Sequence, residues 1–152
     1  MIRLEELDNY IQSLVSRIAG LNKAVLTIEE DHFASQLRDI NQNQYPLLLV
    51  AFPSANSTGQ TVDSIKWNNV TLFYILHKPS KSNRTYTQEI AEMQTLQDLT
   101  IQIKNQILED ITTPPWSCSF IKDTDTNSLT IDPERNLLSH EGWSLGFKFN
   151  TI

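Results

Sequence analysis

Residues 123–134 read DTDTNSLTIDPE, and four of their side chains carry oxygens at a suggestive spacing. Asp123, Asp125 and Asn127 occupy every second position, and Glu134 stands twelfth, nearly the ligand order of an EF-hand calcium loop. Hard cations such as Ca²⁺ want several such oxygens around one centre. The stretch departs from that pattern in three places. Ser128 holds the sixth position, where a sharp turn calls for glycine; Thr130 holds the usually apolar eighth; Pro133 directly precedes Glu134. An EF-hand also needs a helix on each side, whereas Trp116, Cys118 and Phe120 alternate ahead of this stretch with the period of a strand. The competing expectation is a polar hairpin tip whose Asp and Asn side chains cap their own backbone amides.

Other reactive side chains form no recognisable constellation in the linear sequence. His32, His77 and His140 are the three histidines, with neither an HExxH motif nor a paired-His spacing. Cys118, the single cysteine, has no partner for an intramolecular disulfide, and its alternation with two aromatics suits a small core residue better than a nucleophile. No G-x-S-x-G elbow, GxGxxG or GxxxxGK[ST] occurs among only 4 glycines. The acid pairs Glu29–Glu30 and Glu109–Asp110 are neighbours in sequence and therefore point apart. Trp67, Trp116 and Trp143 sit in strand-like runs, where sheet packing explains them more simply than an aromatic pocket. The sequence thus predicts no enzyme and no cofactor.

These residues must be positioned by one domain spanning 1–152, with 39% hydrophobic and 20% charged residues and a formal charge of −6. An acidic surface argues against general binding to a phosphate backbone, so no specific nucleic-acid binding is expected. No run approaches the roughly 20 apolar residues of a membrane span, and MIRLEELDNY lacks the apolar stretch of a signal peptide, which leads us to expect an intracellular protein.

Leu4, Leu7, Ile11, Leu14, Val15, Ile18 and Leu21 make one stripe of a helix that Gly20 and Asn22 can end. AVLTI (24–28) is strand-like, and Phe33, Leu37 and Ile40 allow a short helix. YPLLLVAFP (45–53) suits a strand buried on both faces. SANSTGQTVDS (54–64) reads as a polar loop leading to a long strand, IKWNNVTLFYILHK (65–78), and the two strands are expected to form an antiparallel hairpin. A second polar loop (78–85) precedes the longest helix, 87–111, with Thr87 as N-cap and Ile90, Met93, Leu96, Ile107 and Ile111 on its inner face. TTPP breaks that helix, the 116–120 strand follows, and in 142–152 Trp143, Leu145, Phe147 and Phe149 fall on one face. The order predicts an α+β domain: a mostly antiparallel sheet packed against the N-terminal helix and one long helix.

This layout resembles the tail terminator (tail completion) proteins of lambda-like long-tailed bacteriophages and their prophage relatives. The resemblance runs from about Leu4 to Phe149. It rests on the amphipathic first helix, the YPLLLVAF strand, the TGQTVDS loop, IKWNNVTLFYILHKPS, the long helix, the DTDT stretch and EGWSLGFKF. It implies an α+β protomer of a homo-oligomeric ring, commonly a hexamer, that caps the tail tube and joins it to the head. Its partners would be copies of itself, tail-tube proteins and head-joining proteins, first in the host cytoplasm and then in the virion tail. Contact residues are expected in the two polar loops: Ser57, Thr58, Gln60, Lys81, Asn83 and Arg84. The alternative is a small intracellular α+β ligand-binding domain with an apolar cleft between helix 87–111 and the sheet.

Overall fold

The computed structural model describes residues 1–28, 30–79, 83–113 and 123–151. Among the described residues, three α-helices and a six-stranded, mostly antiparallel sheet make an α+β fold. The strands are β1 (Lys23–Thr27), β2 (Leu47–Ala51), β3 (Ser54–Thr58), β4 (Lys66–His77), β5 (Thr124–Leu137) and β6 (His140–Thr151). The helices are α1 (Leu4–Arg17), α2 (Glu30–Arg38) and α3 (Tyr86–Thr112). The expected strand at 116–120, with Trp116 and Cys118, lies outside the described residues.

The sheet order is β1-β2-β4-β6-β5, with β3 beside β4. β1 and β2 are parallel because α2 carries the chain back between them; every other pair is antiparallel. β4 is the spine. Its second half pairs with β2 and its first half with β3, so the hairpin expected from sequence exists and is longer than expected. SANST is therefore a strand and not a loop. Four of its five residues are exposed, so it has no buried face to generate an alternating apolar pattern, and its stability comes from the ladder to β4.

α1 and α3 cover one face. Leu7, Tyr10, Ile11 and Leu14 of α1 meet Leu96, Leu99, Ile103 and Ile107 of α3 over Leu48, Val50, Phe73, Ile75, Leu145, Phe147 and Phe149 of the sheet. The period-two aromatic face of β6 is thus the floor of the main core. Ile90 does not join it and is 50% exposed. α3 is capped by Thr85 instead of Thr87: the Thr85 hydroxyl accepts from the Gln88 backbone N–H at 3.3 Å, and the Gln88 side chain accepts from Thr85 N–H at 2.9 Å. The opposite face carries a smaller cluster, in which Phe33 of α2 packs on Leu49 and Leu76. With a helix on each side, Leu47–Val50 are all buried, which explains the unbroken apolar run.

Candidate functional site

Among the described residues, a dense group of ionisable side chains lies where the start of α3 meets the end of β4 and the start of β6. His77 closes β4, Glu141 is the second residue of β6, Glu92 lies in the second turn of α3, and Arg84 precedes that helix. The Arg84 guanidinium donates to both Glu92 and Glu141. His77 Nε2 lies 3.2 Å from Glu141 and 3.9 Å from Glu92. Burial alone would raise the Glu141 carboxyl, but hydrogen bonds from Arg84 and His77, with their charges, outweigh it and hold the group below its ordinary value. Hydrogen bonding to Glu141 keeps Arg84 protonated far above its usual range, with Glu92 adding to the effect.

His77, Glu92 and Glu141 place possible ligand atoms within 4.8 Å of one another, a donor set that a divalent metal could use. The cation that sits between the two carboxylates is Arg84. Its planar fork already satisfies them, so a metal would have to displace a bidentate guanidinium. The arrangement acts as a clamp between α3 and the sheet. Two more contacts reinforce it: Arg135 pairs with Glu89, and Trp143 Nε1 donates to the Met93 carbonyl at 3.0 Å.

Behind the clamp, His140 is 5% exposed. Its Nδ1 lies 2.8 Å from the Leu138 carbonyl, which makes that nitrogen the N–H donor. Nε2 is then free to accept from the Tyr45 hydroxyl at 2.7 Å. Burial lowers the His140 pKa and the Lys78 charge lowers it further, while burial raises that of Tyr45. A second buried charge joins α1 to α3. Arg17 donates to both Asp110 oxygens at 2.8 and 2.9 Å, and Tyr10 and Gln106 donate to the same carboxylate.

The calcium ligand set predicted from sequence does not assemble. Asp125, Asn127 and Glu134 lie along β5 and Asp123 directly precedes it, so the four do not ring one centre. Extended backbone puts Glu134 more than about 20 Å from Asp125, whereas one Ca²⁺ draws its ligands to within about 2.5 Å. Nor is the stretch a hairpin tip. The tip is the turn at Leu138 and Ser139, both at positive φ. The DTDT stretch forms a bulge instead, marked by a register shift between Asp125 and Thr130. The expected self-capping occurs at one position, where Asn127 N–H donates to the Asp125 carboxylate at 3.0 Å; separately, Lys148 N–H of β6 donates across to Ser128 Oγ at 2.8 Å.

The expected contact residues divide. Ser57 and Thr58 are exposed on β3, Gln60 is exposed in the turn after it, and Asn83 is exposed before α3. Lys81 lies outside the described residues. Arg84 is not a surface contact: only 11% of its side chain is exposed, because Glu92 and Glu141 draw it inward. The apolar cleft expected between α3 and the sheet is filled by the main core. An apolar hollow lies on the other face, a cavity of about 310 Å³ beside α2, walled by Phe33, Leu49, Tyr74 and Leu137.

Sequence reasoning missed the clamp because its members are neighbours only after folding: Glu141 is 57 residues from Arg84 and 64 from His77. The adjacency of His140 and Glu141 was the one visible trace. Among the described residues, no helix is long and apolar enough to cross a membrane. Comparison of the chain with models of protein families and with curated proteins found no match to either.

Proposed function

We propose that this chain is a structural component of a phage or prophage tail, a ring-forming tail terminator that joins tail tube and head through contacts between copies. The observation that carries this reading is the pair of opposite sheet edges. Among the described residues, β1 and β3 on one side and β5 on the other have no further strand beside them. A protomer with different surfaces on its two flanks can make a head-to-tail contact, and a closed ring satisfies that contact at every copy.

The two flanks differ in character. β5 is blunted against uncontrolled strand pairing by its bulge, by Pro133 and by exposed Asp125 and Asp132. β3 is short, uncharged and exposed, the better candidate for a backbone ladder with a neighbour. The net charge of −6 also suits a protein whose ring surrounds a DNA passage, where like charge prevents sticking.

Light scattering coupled to size exclusion, run over a hundredfold range of concentration, tests the reading, together with electron micrographs of the protein mixed with tail tubes. The expected result is one discrete oligomer, or annuli seated on tube ends. A monomer that leaves tube ends bare would overturn it. A second reading is favoured by the cavity beside α2: an apolar small molecule held between Phe33 and Tyr74. Mass spectrometry of the purified protein under native and denaturing conditions would reveal such a molecule as a released species.

A further inference from the structure

At the tip of the β5–β6 hairpin, α2 and the end of β4 enclose a hollow of about 350 Å³. Leu37 and Leu138 form its apolar wall, and Arg38, Lys78 and Ser139 stand at its rim above buried His140. Both rim cations are exposed, and neither forms an ion pair among the described residues. Arg38 lies in the last turn of α2, where a helix end favours a cation, and Asp39 follows it in the chain. Lys78 has no such reason to be there. Buried His140 offers no acceptor to either, since its ring nitrogens are taken by Leu138 and Tyr45. In a chain of charge −6, two unanswered cations around an apolar wall fit a carboxylate carried on an extended segment.

Such a segment exists at the far end of the same hairpin. Asp123 and Asp125 are exposed where β5 begins, and neither has an ion-pair partner among the described residues. Lys148 faces Asp125 across the ladder without reaching ion-pair distance. Extended backbone separates this bulge from the tip by about 35–40 Å. One protomer cannot bring the two ends together, but two protomers can.

We propose that the hollow rimmed by Arg38 and Lys78 receives the Asp123–Asp125 segment of a second copy of this chain. The contact is head-to-tail, one end of a hairpin against the other end of its neighbour's. It rests on the ring reading above and supplies one interface for it. Cations at the rim meet carboxylates at the bulge, and residues around the bulge lie over Leu37 and Leu138.

Reciprocal charge reversal, followed by sedimentation velocity at low and high salt, tests it. One variant carries Arg38→Glu with Lys78→Glu, the other Asp123→Lys with Asp125→Lys. All four positions are exposed, and melting curves with the milder Arg38→Ala, Lys78→Ala variant control for folding. Each charge-reversed variant alone should associate at least about tenfold more weakly than the wild type. An equimolar mixture should recover association, because each variant then presents what the other's altered surface requires. Wild-type assembly that survives both reversals, or a mixture that fails to recover, overturns this interface and leaves the ring reading standing. A wild type that stays monomeric overturns both.

Discussion

The two faces of the sheet are built to different standards. Over β2, β4 and β6, α1 and α3 close a continuous apolar layer whose members Leu7, Ile11, Leu14, Phe73, Ile103 and Ile107 are 0% exposed. On the other face, α2 covers one end with a three-residue buried cluster, and Leu72 is 38% exposed. The charged groups follow the same division. Arg17 and Asp110 are paired within the helical layer, while Arg38 and Lys78 stand at the rim of the other with no ion-pair partner among the described residues. The first face is covered from end to end, and the second is covered by α2 at one end only.

The sharpest way to break this comparison is to truncate equivalent apolar groups on each face. Phe147→Ala removes a ring that packs against Phe73 and Phe149, and should lower the unfolding free energy by about 3–5 kcal/mol in urea denaturation. Leu37→Ala, half-buried on the α2 side, should cost only about 1 kcal/mol. Equal losses would show that the α2 face is as tightly built as the other.

Next in size is Asp110→Ala, which removes the buried carboxylate to which Arg17, Tyr10 and Gln106 all donate. A loss of about 3 kcal/mol is expected in the same titration, and Arg17→Met combined with Asp110→Leu should recover much of it. If the single change were silent, the α1–α3 charge would not be a structural link.

Acid should separate the elements in two steps. Burial holds the His140 pKa below its ordinary 6.5, so the unfolded chain takes up that proton first, and stability falls as pH drops from 6.5 through the lower folded value. Glu141, held below its ordinary 4.5, adds a second loss as pH falls from 4.5 through its own folded value. Thermal melts across this range should show both, and His140→Gln should flatten the upper step alone. The smallest effect expected is none. Asp125→Ala should leave the melting temperature in millimolar Ca²⁺ where it is in EDTA, because its carboxylate answers the Asn127 amide and not an ion.

Legibility from sequence tracked burial. The α1 stripe from Leu7 to Leu14, the apolar run at Leu47–Val50 and the alternation of Leu145, Phe147 and Phe149 each match the face they bury, although α1 ends at Arg17, short of Ile18 and Leu21, and Leu4 is 41% exposed. β3 escaped because an exposed polar strand leaves no such period, and its partner is chosen by the unpaired half of β4. Ile90 was misplaced because apolar residues also occupy the outer side of α3. The candidate sites were almost illegible. Arg84 looked like a loop cation until Glu141, from a strand far along the chain, drew it inward, and the spacing of Asp123 to Glu134 imitates a loop that an extended β5 cannot form.

Native mass spectrometry of the untagged chain, sprayed at concentrations from nanomolar to tens of micromolar, tests the claim that this protein works through contacts between its own copies. A single narrow species at an integral multiple of 17.4 kDa, with no ladder of longer chains above it, is the predicted result for a closed ring. A lone 17.4 kDa species at every concentration, or an open series of ever larger multiples, would contradict it.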